Sequence, residues 1–141
     1  MRTHVQYSKK VQQILQSPAN VGVLPEDDPD VGTGLAGEMK CGDVVKIHVR
    51  IGSGGMIADS RYKTFGCGHA IAAGSRLTEM VIGRSVNSAM DVAPQQLIDD
   101  LEIPPEKHKV ADLAVEALRK AIADATGRSD GHYVSRTTEE V

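Results

Sequence analysis

Two cysteines, Cys41 in Cys41-Gly42-Asp43 and Cys67 in Gly66-Cys67-Gly68, are the residues of this chain best suited to chemistry. They flank a stretch that reads as one β-hairpin turning at Gly52-Ser53-Gly54-Gly55. A turn centred there sets the two thiols nearly opposite each other at the outer ends of the hairpin. Directly opposed side chains in an antiparallel pair have Cβ atoms about 4.5–5.5 Å apart, close enough for two sulfurs to share one ion. Asp43, two residues after Cys41, points to the same face under strand alternation. Soft thiolates suit iron, zinc and iron-sulfur clusters, and a carboxylate adds a weaker, exchangeable oxygen ligand. The alternatives for the cysteines are a pair of small buried side chains or a Cys41–Cys67 disulfide. His69, two residues after Cys67, either reaches the same ion or points to solvent.

The elements that must position these residues follow from hydrophobic periodicity. Val45, Ile47, Val49 and Ile51 alternate with Lys46, His48 and Arg50, giving one buried and one wet strand face. The returning strand runs from Met56 to Phe65, and the segment from Thr33 to Met39 adds an edge strand. Before it, Pro25–Asp30 is acidic and carries two prolines. With Gly32, Gly34 and Gly37 following, this reads as an exposed loop whose charge serves solvation. After Gly68, Ala70-Ile71-Ala72-Ala73 with Leu77, Met80 and Val81 predicts a helix closed by Gly83. Its N-terminus lies beside Cys67, where the helix dipole favours a thiolate. Tyr7 to Gln16 predicts a short amphipathic helix, and two more short helices are expected over 85–90 and 94–101. Ile103-Pro104-Pro105 forms a stiff link. An apolar stripe from Val110 to Ala125 then predicts the longest helix, ending at Gly127. The expected fold is α+β, a three-stranded antiparallel sheet with helices mainly on one face and a long C-terminal helix. One domain over residues 1–127 is expected, with a polar tail over 128–141.

Composition narrows the function. Sixteen basic against nineteen acidic residues give a net charge of −3, with one Phe, three Tyr and no Trp, which disfavours nucleic acid as a partner. No apolar stretch approaches the roughly 20 residues that span a bilayer. Met1-Arg2-Thr3-His4 opens neither a secretory signal nor a long transit peptide, so a reducing cytoplasm is the expected compartment. Two cysteines there read as thiolates for metal or redox work more readily than as a structural disulfide. No general-base cluster accompanies them, so a hydrolase finds little support and the chain is not read as an enzyme.

Several segments, taken in order, resemble the U-type iron-sulfur cluster assembly scaffolds, the IscU family shared with the N-terminal domain of NifU. They are Tyr7-Ser8-Lys9-Lys10-Val11, Asn20-Val21-Gly22, Cys41-Gly42-Asp43-Val44 and Lys63-Thr64-Phe65-Gly66-Cys67-Gly68. Leu77-Thr78-Glu79-Met80-Val81, Pro104-Pro105 and Lys120-Ala121-Ile122-Ala123-Asp124 complete the series, which covers residues 7 to 126. The resemblance implies a scaffold or carrier on which iron and desulfurase-derived sulfur become a [2Fe-2S] cluster bound by Cys41, Asp43 and Cys67. It implies a cysteine desulfurase and acceptor proteins as partners, and zinc in the isolated protein. In the family the long helix opens with His-Cys, the Cys also accepting persulfide, and an ungapped match puts Lys109 and Val110 there. His108 sits one position early and is a further ligand candidate, while Lys109 is a candidate partner for Asp43. A symmetric homodimer would supply four thiolates to one cluster. Tyr7 matches a family tyrosine assigned to the site or to dimerisation. The segment recognised by an Hsp70-type chaperone reads Ile103-Pro104-Pro105-Glu106-Lys107, where Glu106 puts a charge in place of an apolar residue. The alternative is a divergent, non-assembling homologue that binds zinc or iron and regulates the desulfurase or a true scaffold.

Overall fold

The computed structural model describes residues 7–130, and of Cys41 and residues 128–130 the backbone alone. The elements are α1 (Lys9–Gln16), β1 (Val31–Glu38), β2 (Asp43–Ile51), β3 (Ile57–Phe65), α2 (Gly68–Val81), α3 (Val86–Met90), α4 (Pro94–Leu101) and α5 (His108–Asp130). The strands form an antiparallel sheet of order β1-β2-β3, so the expected α+β architecture holds. Val45, Ile47 and Val49 face inward and are fully buried, with Ala36 beside them on β1 and Tyr62 on β3.

α5 and α2 cover that inner face. Gly32 and Gly34, expected in a loop, are inward positions of β1. A Cβ on Gly34 would overlap the Ala117 carbonyl oxygen and come within 2.6 Å of the Ala121 nitrogen. The missing side chains thus let α5 approach the sheet along its own alanine stripe, the use of strand glycine that close packing favours. On the other side Gly74 of α2 accepts the ring of Tyr62. α5 also shields the β1 edge, since Asp124 accepts from Thr33 N–H at 2.9 Å and Lys120 donates to Leu35 O at 3.1 Å. α1 is held by its N-cap, where Ser8 Oγ accepts from Val11 N–H and donates to Leu101 O at the end of α4.

Three expectations need correction. The acidic segment is an exposed loop, as expected, but its charges do more than solvate it. It crosses the outer face of the sheet, where Glu26 meets His48 Nε2 at 2.8 Å and Lys46 at 2.9 Å, and Asp28 meets Arg50 at 2.6 Å. His48, expected on a wet face, is 1% exposed beneath it. The Lys46 and His48 bonds hold the Glu26 carboxyl below its ordinary value. Finally, α5 continues through Gly127 to Asp130, because Gly127 does not take up the left-handed conformation that ends a helix. Residues 131–141 of the expected tail lie outside the described residues.

Candidate metal centre

The cysteine-bearing end of the sheet is built from two element termini. Met39–Cys41 forms one turn of 3-10 helix between β1 and β2, and Gly42, at φ 91°, reverses the chain with its N–H donating to Met39 O. Cys41 therefore sits on a turn and not on the strand, and strand alternation, which was to align it with Asp43, stops one residue short of it. Asp43 is the first residue of β2 and pairs with Glu38. On the other side Val44 faces Phe65. Continued outward, that register carries Gly66 opposite Asp43 and Cys67 opposite Gly42, one step from the facing pair expected. The irregularity at Arg50–Ile51 near the hairpin turn accounts for the step.

Cys67 is the N-cap of α2, as expected, with extended backbone. It is half-buried and free. Its N–H donates to Asp43 Oδ1 at 3.3 Å, which ties the carboxylate at the head of β2 to the loop entering α2. Gly66 makes this approach feasible: at φ 149°, a Cβ there would overlap the Asp43 carboxylate and lie 2.9 Å from Gly42 O. The importance of Gly66 was legible only as part of the run Gly66-Cys67-Gly68.

The remaining candidates are distributed around this joint. His69 is the second residue of α2 and is 1% exposed rather than solvated. Neither of its ring nitrogens has a hydrogen-bond partner. Burial, aided by Lys107 and opposed by Glu106, holds its imidazole below the ordinary value and favours the neutral form. Tyr7 covers it, with ring centroids 4.7 Å apart and planes tilted by 59°. The Tyr7 hydroxyl lies over Gly68, within 2.6 Å of where a Cβ would stand. His108 opens α5 with Nε2 on Ile103 O at 3.0 Å, in the donor role since a carbonyl only accepts. Lys109 is exposed beside it, and no ion pair joins it to Asp43. Val110 is 1% exposed, part of the core under α5. In the Pro105–Lys107 turn Glu106 is exposed, while the preceding Ile103 is buried. Among the described residues no three His, Cys, Asp or Glu side chains converge on one point, the Cys41 side chain not being among them. No helix of the described residues is long and apolar enough to cross a membrane.

Residues 6–131 match the family described as the NifU-like N terminal domain. Over 118 residues the chain is 42% identical to the iron-sulfur cluster assembly scaffold protein IscU of Haemophilus influenzae, covering 84% of this chain and 94% of that protein. The IscU scaffold protein of Rickettsia prowazekii is 43% identical over the same length, covering 84% and 90%. Among solved structures the chain resembles a protein of Fervidobacterium islandicum assigned as an iron-sulfur cluster assembly scaffold for the SUF system. The TM-score is 0.65 at 22% identity, covering 82% of this chain and 96% of that one. A NifU-like N-terminal protein of Brucella abortus gives a TM-score of 0.63 at 17% identity, covering 84% and 93%. At these identities the solved structures bear on the fold alone.

Proposed function

The chain belongs to the NifU-like N-terminal domain family that includes the IscU scaffolds, and on that premise we propose that it assembles or carries an iron-sulfur cluster as cargo. It is a scaffold, not an enzyme. Cys41, Cys67 and Asp43 are the ligands in this reading. The observation that carries it is the Asp43–Cys67 joint: the carboxylate at the head of β2 accepts from the backbone N–H of Cys67, the cap of α2, which brings a carboxylate-bearing and a thiol-bearing residue together. Two thiolates bind iron firmly, and the carboxylate, a weaker ligand, exchanges when the cargo leaves. Sulfur arrives from a cysteine desulfurase and the cluster departs to acceptor proteins. A homodimer bridging one [2Fe-2S] unit would reach four thiolates.

A second reading is favoured by the start of α5. Lys109 and Val110 stand where the family pattern, read from the sequence, has His-Cys; Val110 is packed into the core, and His108 Nε2 is occupied by Ile103 O. This helix offers no thiolate to receive persulfide. A divergent member that binds zinc or iron and regulates the desulfurase would fit that loss.

Anaerobic reconstitution with iron, desulfurase and cysteine separates the two. The scaffold reading expects sulfide-containing protein with visible charge-transfer bands, lost in Cys41→Ser and Cys67→Ser. A colourless zinc-bound monomer that never acquires sulfide would overturn it in favour of the second.

A further inference from the structure

His69 is alone among the described residues in having both side-chain nitrogens buried without a hydrogen-bond partner. Leaving a buried polar atom unsatisfied is unfavourable, and such groups in a native fold call for an explanation such as an ion. The ring sits under Tyr7, and its position relative to Cys67 is specific. The Cys67 side chain makes no capping hydrogen bond, so its thiol is left free at the helix start, two residues before the ring. Cys67 is the N-cap and His69 the second residue. The other histidine at this end, His108, has Nε2 engaged by Ile103 O.

Resting on the scaffold reading above, we infer that His69 is the nitrogen ligand of the cargo metal, completing the set begun by Cys41, Asp43 and Cys67. In the present conformation His69, Asp43 and Cys67 do not converge, so binding requires the ring to turn out from beneath Tyr7. The unprotonated nitrogen of the neutral ring then donates its lone pair to the metal, displacing one bound water that leaves to solvent, with no change of oxidation state. Mixed thiolate and imidazole ligation of a [2Fe-2S] unit is established chemistry, and histidine ligation raises the cluster potential relative to all-thiolate ligation. Tyr7 acts as a cover whose removal favours the ligating rotamer.

The test uses the full chain, with Co(II) as the probe of the metal site and pulsed EPR on the reduced reconstituted cluster. In protein labelled with 15N-histidine, a directly coupled histidine nitrogen is expected in both the unsubstituted chain and His108→Ala. It is lost in His69→Leu, which keeps an apolar side chain in the buried volume and whose folding is checked by thermal melting. Tyr7→Ala is expected to bind Co(II) more tightly. If the unsubstituted chain gives no thiolate-to-Co(II) charge-transfer bands, the scaffold reading falls and this inference with it. If those bands appear but no histidine nitrogen is coupled, or His108→Ala abolishes the coupling, the role of His69 alone is overturned. Should His69→Leu fail to fold, the labelled His108→Ala protein decides: absence of coupling there is sufficient to reject His69.

Discussion

Gly66→Ala loads the joint between the two halves of the candidate site. Gly66 lies at φ 149°, outside the range that L side chains readily adopt, and a residue held in such a region costs about 1–3 kcal/mol. The new Cβ would also overlap Asp43 Oδ1, with Gly42 O at 2.9 Å and Asp43 Cα at 3.2 Å. Backbone atoms cannot swing aside as a flexible side chain can, and overpacking of this kind adds about 1–3 kcal/mol. Reduced freedom of the unfolded chain returns about 0.4–1 kcal/mol. The expected net loss is about 2–4 kcal/mol, a large share of the roughly 5–15 kcal/mol that stabilises a domain. Urea unfolding followed by circular dichroism measures it, with an unchanged slope indicating a stability effect alone. The same substitution made on Asp43→Ala isolates the collision with the carboxylate, and a coupling of about 0.5 kcal/mol or more is expected for residues in direct contact. A loss below about 1 kcal/mol, or strict additivity with Asp43→Ala, would refute the proposed contact between Gly66 and the Asp43 carboxylate.

Gly34→Ala is expected to destabilise by about 1–3 kcal/mol in the same unfolding assay, although its backbone is ordinary, because α5 must lift from β1; a neutral or stabilising result would contradict the close helix–sheet contact. At Asp100, burial alone would raise the carboxyl, but bonds to Lys10 and Arg76, each 2.7 Å, outweigh it and hold it below its ordinary value. A depressed carboxyl contributes stability that is present above the unfolded value near 3.8 and is lost as pH falls through the folded one. Asp100→Asn should therefore cost about 1 kcal/mol or less at neutral pH and flatten the acid limb of the stability profile measured by thermal melting from pH 7 to 2. Glu26→Gln should loosen the segment over the outer face, measured as faster limited proteolysis within residues 23–30, with α5 protected as before.

Period-2 alternation was enough to find β2, the glycine turn after it placed β3 as the returning strand, and the alanine-rich stripe of α5 was unmistakable, because these patterns are local. What escaped was set by partners distant in the chain. His48 reads as a wet-face residue because its cover, Glu26, lies 22 positions away in a segment whose prolines and aspartates signal a loop. Gly32 and Gly34 read as breakers for the same reason: their purpose is contact with Ala117, Ala121 and Ala125, far along the chain. At the site, Cys67 before a helix was legible from the glycines around it. The turn that removes Cys41 from the strand depends on Gly42 taking a left-handed conformation, which glycine permits but does not announce. The burial of His69 follows from the packing of Tyr7 against α2, which no local pattern encodes.

The two ends of the sheet differ in how firmly they are held, and the difference bears on how a cargo would leave. Where α5 crosses β1, backbone meets backbone through Gly32 and Gly34, and any separation exposes the core. Where Asp43 and Cys67 meet, the tie is one long hydrogen bond between the first residue of a strand and the cap of a helix. Element ends open at lower free energy than the interior of a fold. Loss of that single bond separates the carboxylate from the thiol loop without disturbing Val45, Ile47 or Val49 beneath them. In the proposed scaffold, opening at this joint needs no global unfolding, and amide exchange at Cys67 should be far faster than at Ile47 in the same protein.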